Sequence, residues 1–202
     1  MARFRVSRTH DRVFLAERGA ALVEFAIVLP LLVVFVVGIY DFSGAFNQRQ
    51  KIAQAAQEGA ILAAALPAND ISSLSGTNPD SLGPVVVAVF NSLTGSGIIP
   101  VGVCNPPGAT SGPAAGLTWT YQISGCSAAH PSDPLIITIN RGWVCSAGTA
   151  CAVAPPVAVG TVVTVSYPYH WHFNSVIQLL IPGANYTLPT TTSESAIVHT
   201  QI

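Results

Sequence analysis

Glu24 is the residue whose setting most demands a chemical reason. It stands near the start of an apolar run, Ala20–Tyr40, in which no other residue is charged. A charge at the centre of a helix in hydrocarbon costs roughly 2.5–3.5 kcal/mol on insertion scales, so an acid retained there implies a use and a partner. The other candidates for chemistry are weaker. His170-Trp171-His172 would place two imidazoles on one face of a strand, half of a metal site, but His130 and His199 lie far away in sequence and no further ligand is evident. Solvated histidines are the default reading. Trp119, Trp143 and Trp171 have rings that can stack on sugars, yet three tryptophans more often fill a small core or its rim. Asn185-Tyr186-Thr187 is a glycosylation sequon that carries little weight. No nucleophile elbow, zinc-protease helix, phosphate-binding loop or dinucleotide fingerprint occurs. The acids after Glu24 (Asp41, Glu58, Asp70, Asp80, Asp133 and Glu194) are too scattered for paired-carboxylate chemistry. The chain therefore offers no catalytic residues, and neither a cofactor nor a metal is expected.

Composition points to a membrane rather than to a substrate. Only 8% of the 202 residues are charged and 50% are hydrophobic, against about 25% charged in soluble domains. Five of the eight basic residues, Arg3, Arg5, Arg8, Arg12 and Arg18, precede the apolar run. Beyond it only Arg49, Lys51 and Arg141 remain, which leaves no basic patch for nucleic acid. Ala20–Tyr40 as a helix would reach about 31 Å, one bilayer core. The positive-inside rule puts residues 1–19 in the cytoplasm and everything after Tyr40 outside, a single pass through an inner membrane. The four cysteines, Cys104, Cys126, Cys145 and Cys151, all fall on the outer side, where an even count favours two disulfides. Three pairings exist; short loop closure favours Cys145–Cys151, with Cys104–Cys126 as the other.

The elements that position these residues follow from pattern. Asp41–Leu66 has no proline, is rich in Ala and Gln, and repeats Phe42, Phe46, Arg49, Ile52, Ala53, Ala56 and Ala60 at helical spacing. The spacing predicts one helix over 20–66, half in lipid and half emerging, with Pro30 kinking it and Pro67 and Asn69 ending it. Residues 68–84 read as a linker. Val85–Leu93 fits a helix or a buried strand, and helix is preferred. Leu117–Ile123 alternates strictly, and Leu135–Asn140, Thr161–Tyr169 and, more weakly, Thr192–Gln201 are rich in strand formers. The expected fold class is α+β: a long N-terminal transmembrane helix extends into an exported helix that packs on a small antiparallel sheet within a β-rich domain, 67–202.

The junction also resembles a known family. Arg18-Gly19-Ala20-Ala21-Leu22-Val23-Glu24-Phe25, the Leu29-Pro30 within the span, the exit Gly38-Ile39-Tyr40-Asp41-Phe42 and the helix Gln54-Ala55-Ala56-Gln57-Glu58-Gly59-Ala60 are similar to the N-terminal signature of the TadE-like proteins. These are pilin-like components of the tight-adherence (type IVc, Flp-type) pilus machinery. The resemblance covers residues 18–60. It implies processing by a prepilin peptidase between Gly19 and Ala20, where a residue without Cβ lets the protease approach the backbone closely. It implies that the new ammonium at Ala20 meets Glu24 of the same or a neighbouring subunit. It also implies a non-enzymatic minor pilin or pseudopilin acting in pilus assembly, adhesion and biofilm formation. Partners would be the membrane, other pilin-like subunits, the assembly platform and the peptidase, with no small-molecule substrate. Three plainer readings compete. One is a signal anchor in which Glu24 merely reaches the headgroups. Another is a secretory peptide cut after Ala45, although the uncharged run Phe25–Tyr40 exceeds the roughly 7–15 residues of such a core. The third is a membrane-tethered enzyme or carbohydrate-binding module.

Overall fold

A computed structural model describes residues 10–67, 79–106, 111–114, 117–127, 131–144, 159–180, 182–183 and 190–199. Its elements are α1 (His10–Ala65), α2 (Leu82–Gly95), β1 (Ser111–Ala114), β2 (Thr118–Ile123), β3 (Leu135–Val144), β4 (Val159–Pro168), α3 (Phe173–Leu180) and β5 (Thr191–His199). They fall into two units: Met1–Ser43 with Trp171–Leu188, and Gly44–His170 with Pro189–Ile202. The fold is α+β, with a long apolar N-terminal helix followed by an antiparallel sheet and shorter helices.

In the larger unit the strands form one sheet in the order β1-β2-β3-β4-β5, each pair antiparallel, so neighbours in sequence are neighbours in space. Register follows the alternation of side chains. Trp119, Tyr121 and Ile123 pair with Ile139, Ile137 and Leu135, and those isoleucines pair in turn with Val163 and Val165. All of these side chains are buried on one face. A one-residue slip would turn that whole set to solvent. The opposite face carries hydroxyls, and Thr164 and Ser166 hydrogen-bond Ser195 and Ser193 across the β4–β5 pair at 2.9 and 2.8 Å.

The C-terminal part of α1 and the whole of α2 cover the buried face. Ile52, Ala55, Ala56, Ala60 and Ala63 of α1 join Leu82, Val85, Val86, Val89, Phe90 and Leu93 of α2 in one core with the sheet. Gaps of one, three and four residues keep each set on one helical face. Small residues on α1 bring its backbone close to its neighbours. A Cβ built on Gly59 would stand 2.5 Å from Val89 Cγ2 and 3.3 Å from Val163 Cγ1. The larger buried side chains contribute about 1.5–3 kcal/mol each.

Several boundaries differ from expectation. α1 begins at His10, ten residues before the expected start at Ala20, and the helix runs on through Pro30 and Ala45. α2 starts inside the expected linker, at Leu82; Pro84 lies in its first turn, where a missing N–H is tolerated. β3 continues four residues past Asn140, after a register shift between Asn140 and Trp143. β1 and α3 had no counterpart in the sequence reading.

Candidate membrane and assembly site

Gly19, Ala20 and Glu24 all lie on α1, and all three are exposed. Nothing lies within 4 Å of a Cβ built on Gly19. Four residues apart, Ala20 and Glu24 share a helix face. Among the described residues Glu24 has neither a hydrogen-bond nor an ion-pair partner. From Gly19 onward α1 is long and apolar enough to cross a membrane. Within the apolar run most side chains are exposed, among them Leu22 at 70%, Phe25 at 62%, Phe35 at 64% and Ile39 at 69%, while Pro30, Val34, Val37 and Gly38 are half-buried. An apolar run of this length with so much exposed apolar surface could span a membrane.

Asp41 closes that run, and it is 1% exposed. Its carboxylate accepts the backbone N–H of Phe173 at 2.5 Å and lies 3.2 Å from His172 Nδ1. Phe173 is the first residue of α3, so Asp41 satisfies one of the N–H groups that a helix start leaves without an internal partner. The acid also sits at the positive end of the helix dipole. Gly38, one turn earlier on α1, faces the Phe173 ring, whose Cε2 would be in ordinary contact, 3.5 Å, with a Cβ there. Phe42 and Trp171 meet edge to face, ring centres 5.5 Å apart.

In the larger unit, polar contacts tie α1 to the sheet and loops. Arg49 pairs with Glu194 of β5, Gln48 Nε2 donates to Pro168 O at 3.0 Å, and Lys51 Nζ donates to Ser96 O at 2.8 Å. The Arg141 guanidinium, 7% exposed, donates to Leu66 O at 2.7 Å, Pro67 O at 3.2 Å and Ser81 Oγ at 3.3 Å. A cation there binds the carbonyls just past the C-terminus of α1 and meets the negative end of its dipole. Gly44 lets Tyr169 approach; a Cβ there would be 2.7 Å from the phenol oxygen. Burial pushes the Tyr121 phenol up to about 12 and raises that of Tyr167.

The structure joins Cys104 to Cys126 in a disulfide, with Cα atoms 4.9 Å apart. Cys145 and Cys151 lie outside the described residues. The two histidines take different carboxylates: His170 Nε2 lies 3.2 Å from Asp133, and His172 faces Asp41. Among the described residues no cluster of three or more His, Cys, Asp or Glu could hold a metal. Trp119 is 2% exposed and is a core residue rather than a sugar platform. Sequence reasoning noted Asp41 only as the end of the span and gave Arg141 no role. Their partners lie 132 and 75 positions away along the chain, beyond any local pattern.

Residues 19–60 match the family model described as TadE-like protein, so the matched segment runs from the glycine junction through the span and along α1 to the core-facing Gly59 and Ala60. Comparison with curated proteins and with solved structures gives no match.

Proposed function

With the TadE-like match of residues 19–60 as premise, we propose that this chain is a minor pilin or pseudopilin of a tight-adherence pilus. In this reading it is inserted in the inner membrane with residues 1–19 in the cytoplasm, trimmed between Gly19 and Ala20 by a prepilin peptidase, and held by Ala20–Tyr40. Its role is assembly, with adhesion and biofilm formation as the outcome. Its partners are other pilin-like subunits, the membrane platform and the peptidase. The single supporting observation is Glu24: an acid in an apolar helix, without a partner among the described residues, one helical turn from the residue that cleavage would make the N-terminus. The freed ammonium would supply the missing cation, either within the subunit or across to the next. Helix contact in the membrane would be aided by small residues such as Ala21 and Ala26. Gly19 suits the cut because glycine costs about 1 kcal/mol relative to alanine within a helix, which makes unwinding for a protease easiest there.

The test is Glu24→Ala in the native host. Insertion should be unchanged while incorporation into the pilus assembly is lost or slowed. Normal piliation and normal adhesion in that variant would remove the proposed role.

A further inference from the structure

We infer that the β4–β5 connection makes a second contact with the bilayer: α3 lies at the outer headgroup–acyl boundary beside α1, and phospholipid is its partner. This rests on the reading of α1 as a membrane span. The level of α3 is set by contacts within one unit. Asp41 takes the Phe173 N–H, and the Phe173 ring reaches Gly38, which lies inside the apolar run. The start of α3 is therefore level with the end of the span. Below that point Val34, Val37 and Gly38 of α1 are half-buried, whereas Phe35, Val36 and Ile39 are exposed.

Composition permits such a placement. No Asp, Glu, Lys or Arg occurs from Gly142 to Ser193, and α3 itself reads Phe-Asn-Ser-Val-Ile-Gln-Leu-Leu. A segment without charge enters the boundary layer at little electrostatic cost. α3 is two-sided: Ile177 is buried and Val176 half-buried, while Ser175 and Gln178 are exposed. Its apolar side is thus taken up by the protein, and the positions left outward are polar but uncharged, which suits contact with headgroups more than with acyl chains. Trp171, packed on Phe42, and the exposed Tyr40 supply the aromatic rings that favour this layer. The buried Asp41 fits as well: at the bilayer edge a carboxylate needs donors other than water, and the Phe173 N–H is one.

The full chain would be reconstituted in vesicles of phosphatidylethanolamine and phosphatidylglycerol, with its disulfides left oxidised. An environment-sensitive fluorophore on Ser175→Cys should shift to the blue, lose emission when the lipids are brominated near the carbonyl end of their chains, and resist aqueous iodide. The same fluorophore on Val101→Cys, a loop position 86% exposed, should behave in the opposite way. Iodide quenching of both sites alike, with no effect of brominated lipid, would overturn the inference. The unsubstituted chain gives an independent readout through photoactivatable phospholipid. Adducts at Trp171–Leu180 as well as Ala20–Tyr40 are expected; adducts confined to Ala20–Tyr40 would contradict the α3 contact and leave the span standing. Adducts in neither segment would remove the span, and this inference with it.

Discussion

A carboxylate survives in apolar surroundings either by finding donors or by waiting for them, and α1 carries one of each kind. Asp41 has its donors, the N–H of Phe173 and the ring of His172. Asp41→Ala removes a helix cap, a loss of about 1–2 kcal/mol. It should show as faster hydrogen exchange of the α3 amides, with α2 amides unaffected. Glu24 has no such donors among the described residues. If its partner is an ammonium, charge rather than shape matters: Glu24→Gln should fail in pilus assembly as completely as Glu24→Ala, and Glu24→Asp should retain part of it. Equal activity of the Gln variant and the unsubstituted chain would mean that no ion pair forms. Tyr121 is a third case. It is 3% exposed, and its hydroxyl has no partner among the described residues. Below pH 10 the phenol is neutral in folded and unfolded chains alike. Above pH 10 the unfolded chain ionises first, because burial holds the folded phenol near 12. Stability is thus intact below the unfolded value and falls as pH rises through the folded one. Tyr121→Phe should be close to neutral at pH 7, since no hydrogen bond is lost, and should lose less melting temperature than the parent between pH 10 and 12.

At the scale of elements, the seating of α1 depends on the absence of a side chain at Gly59. Gly59→Ala must displace Val89, a stiff β-branched residue. Overpacking costs about 1–3 kcal/mol, against up to about 1 kcal/mol regained from helix propensity, so a net loss is expected, larger for Gly59→Leu. Gly83 of α2 is the contrast: nothing lies within 4 Å of a Cβ there, and Gly83→Ala should be neutral or stabilising in a denaturant titration that shows the Gly59 variants shifted to lower midpoints. How far these elements were legible in the sequence depends on where their stabilisation originates. β2, β4 and the two apolar helices α1 and α2 carry their own periodicity, and each was found within a few residues of its ends except the start of α1, which lies ten residues before the expected Ala20. α3 was missed because eight residues beside an aromatic cluster have no decisive period, and its start is capped by a carboxylate 132 positions earlier. β1 reads Ser-Gly-Pro-Ala, with nothing of a strand in its composition, and exists through pairing with β2. The candidate site divides in the same way. Gly19 and Glu24 stand out locally, because a charge in an apolar run is conspicuous. Arg141 does not, since its role as a clasp on the end of α1 appears only when Leu66, Pro67 and Ser81 converge on it. Its removal should still be costly: Arg141→Met deletes hydrogen bonds from a buried cation to Leu66, Pro67 and Ser81, a loss of about 1–3 kcal/mol in all because Leu66 is only half-buried and Pro67 is exposed.

The whole molecule combines a segment long and apolar enough to cross a membrane with a sheet unit that carries its own core and its own covalent brace. The disulfide between Cys104 and Cys126 closes a loop of separation 22, for which chain entropy gives a stabilisation of about 3 kcal/mol. Cys104→Ser with Cys126→Ser should lower the denaturant midpoint of the sheet by a corresponding amount, with the slope unchanged, while membrane retention is unaffected. In the proposed reading retention belongs to α1 and to the distribution of charge along the chain: Arg3, Arg5, Arg8, Arg12 and Arg18 lie before the apolar run, and few bases lie after it. The assembly account asks one thing more of that arrangement, namely that the basic leader be shed once it has oriented the chain. Intact-mass and N-terminal analysis of the protein from its native membrane tests this directly. Molecules beginning at Ala20 are the predicted result. A population that begins uniformly at Met1 would contradict it, because Glu24 would then have no new ammonium beside it and the chain would be an ordinary tethered domain.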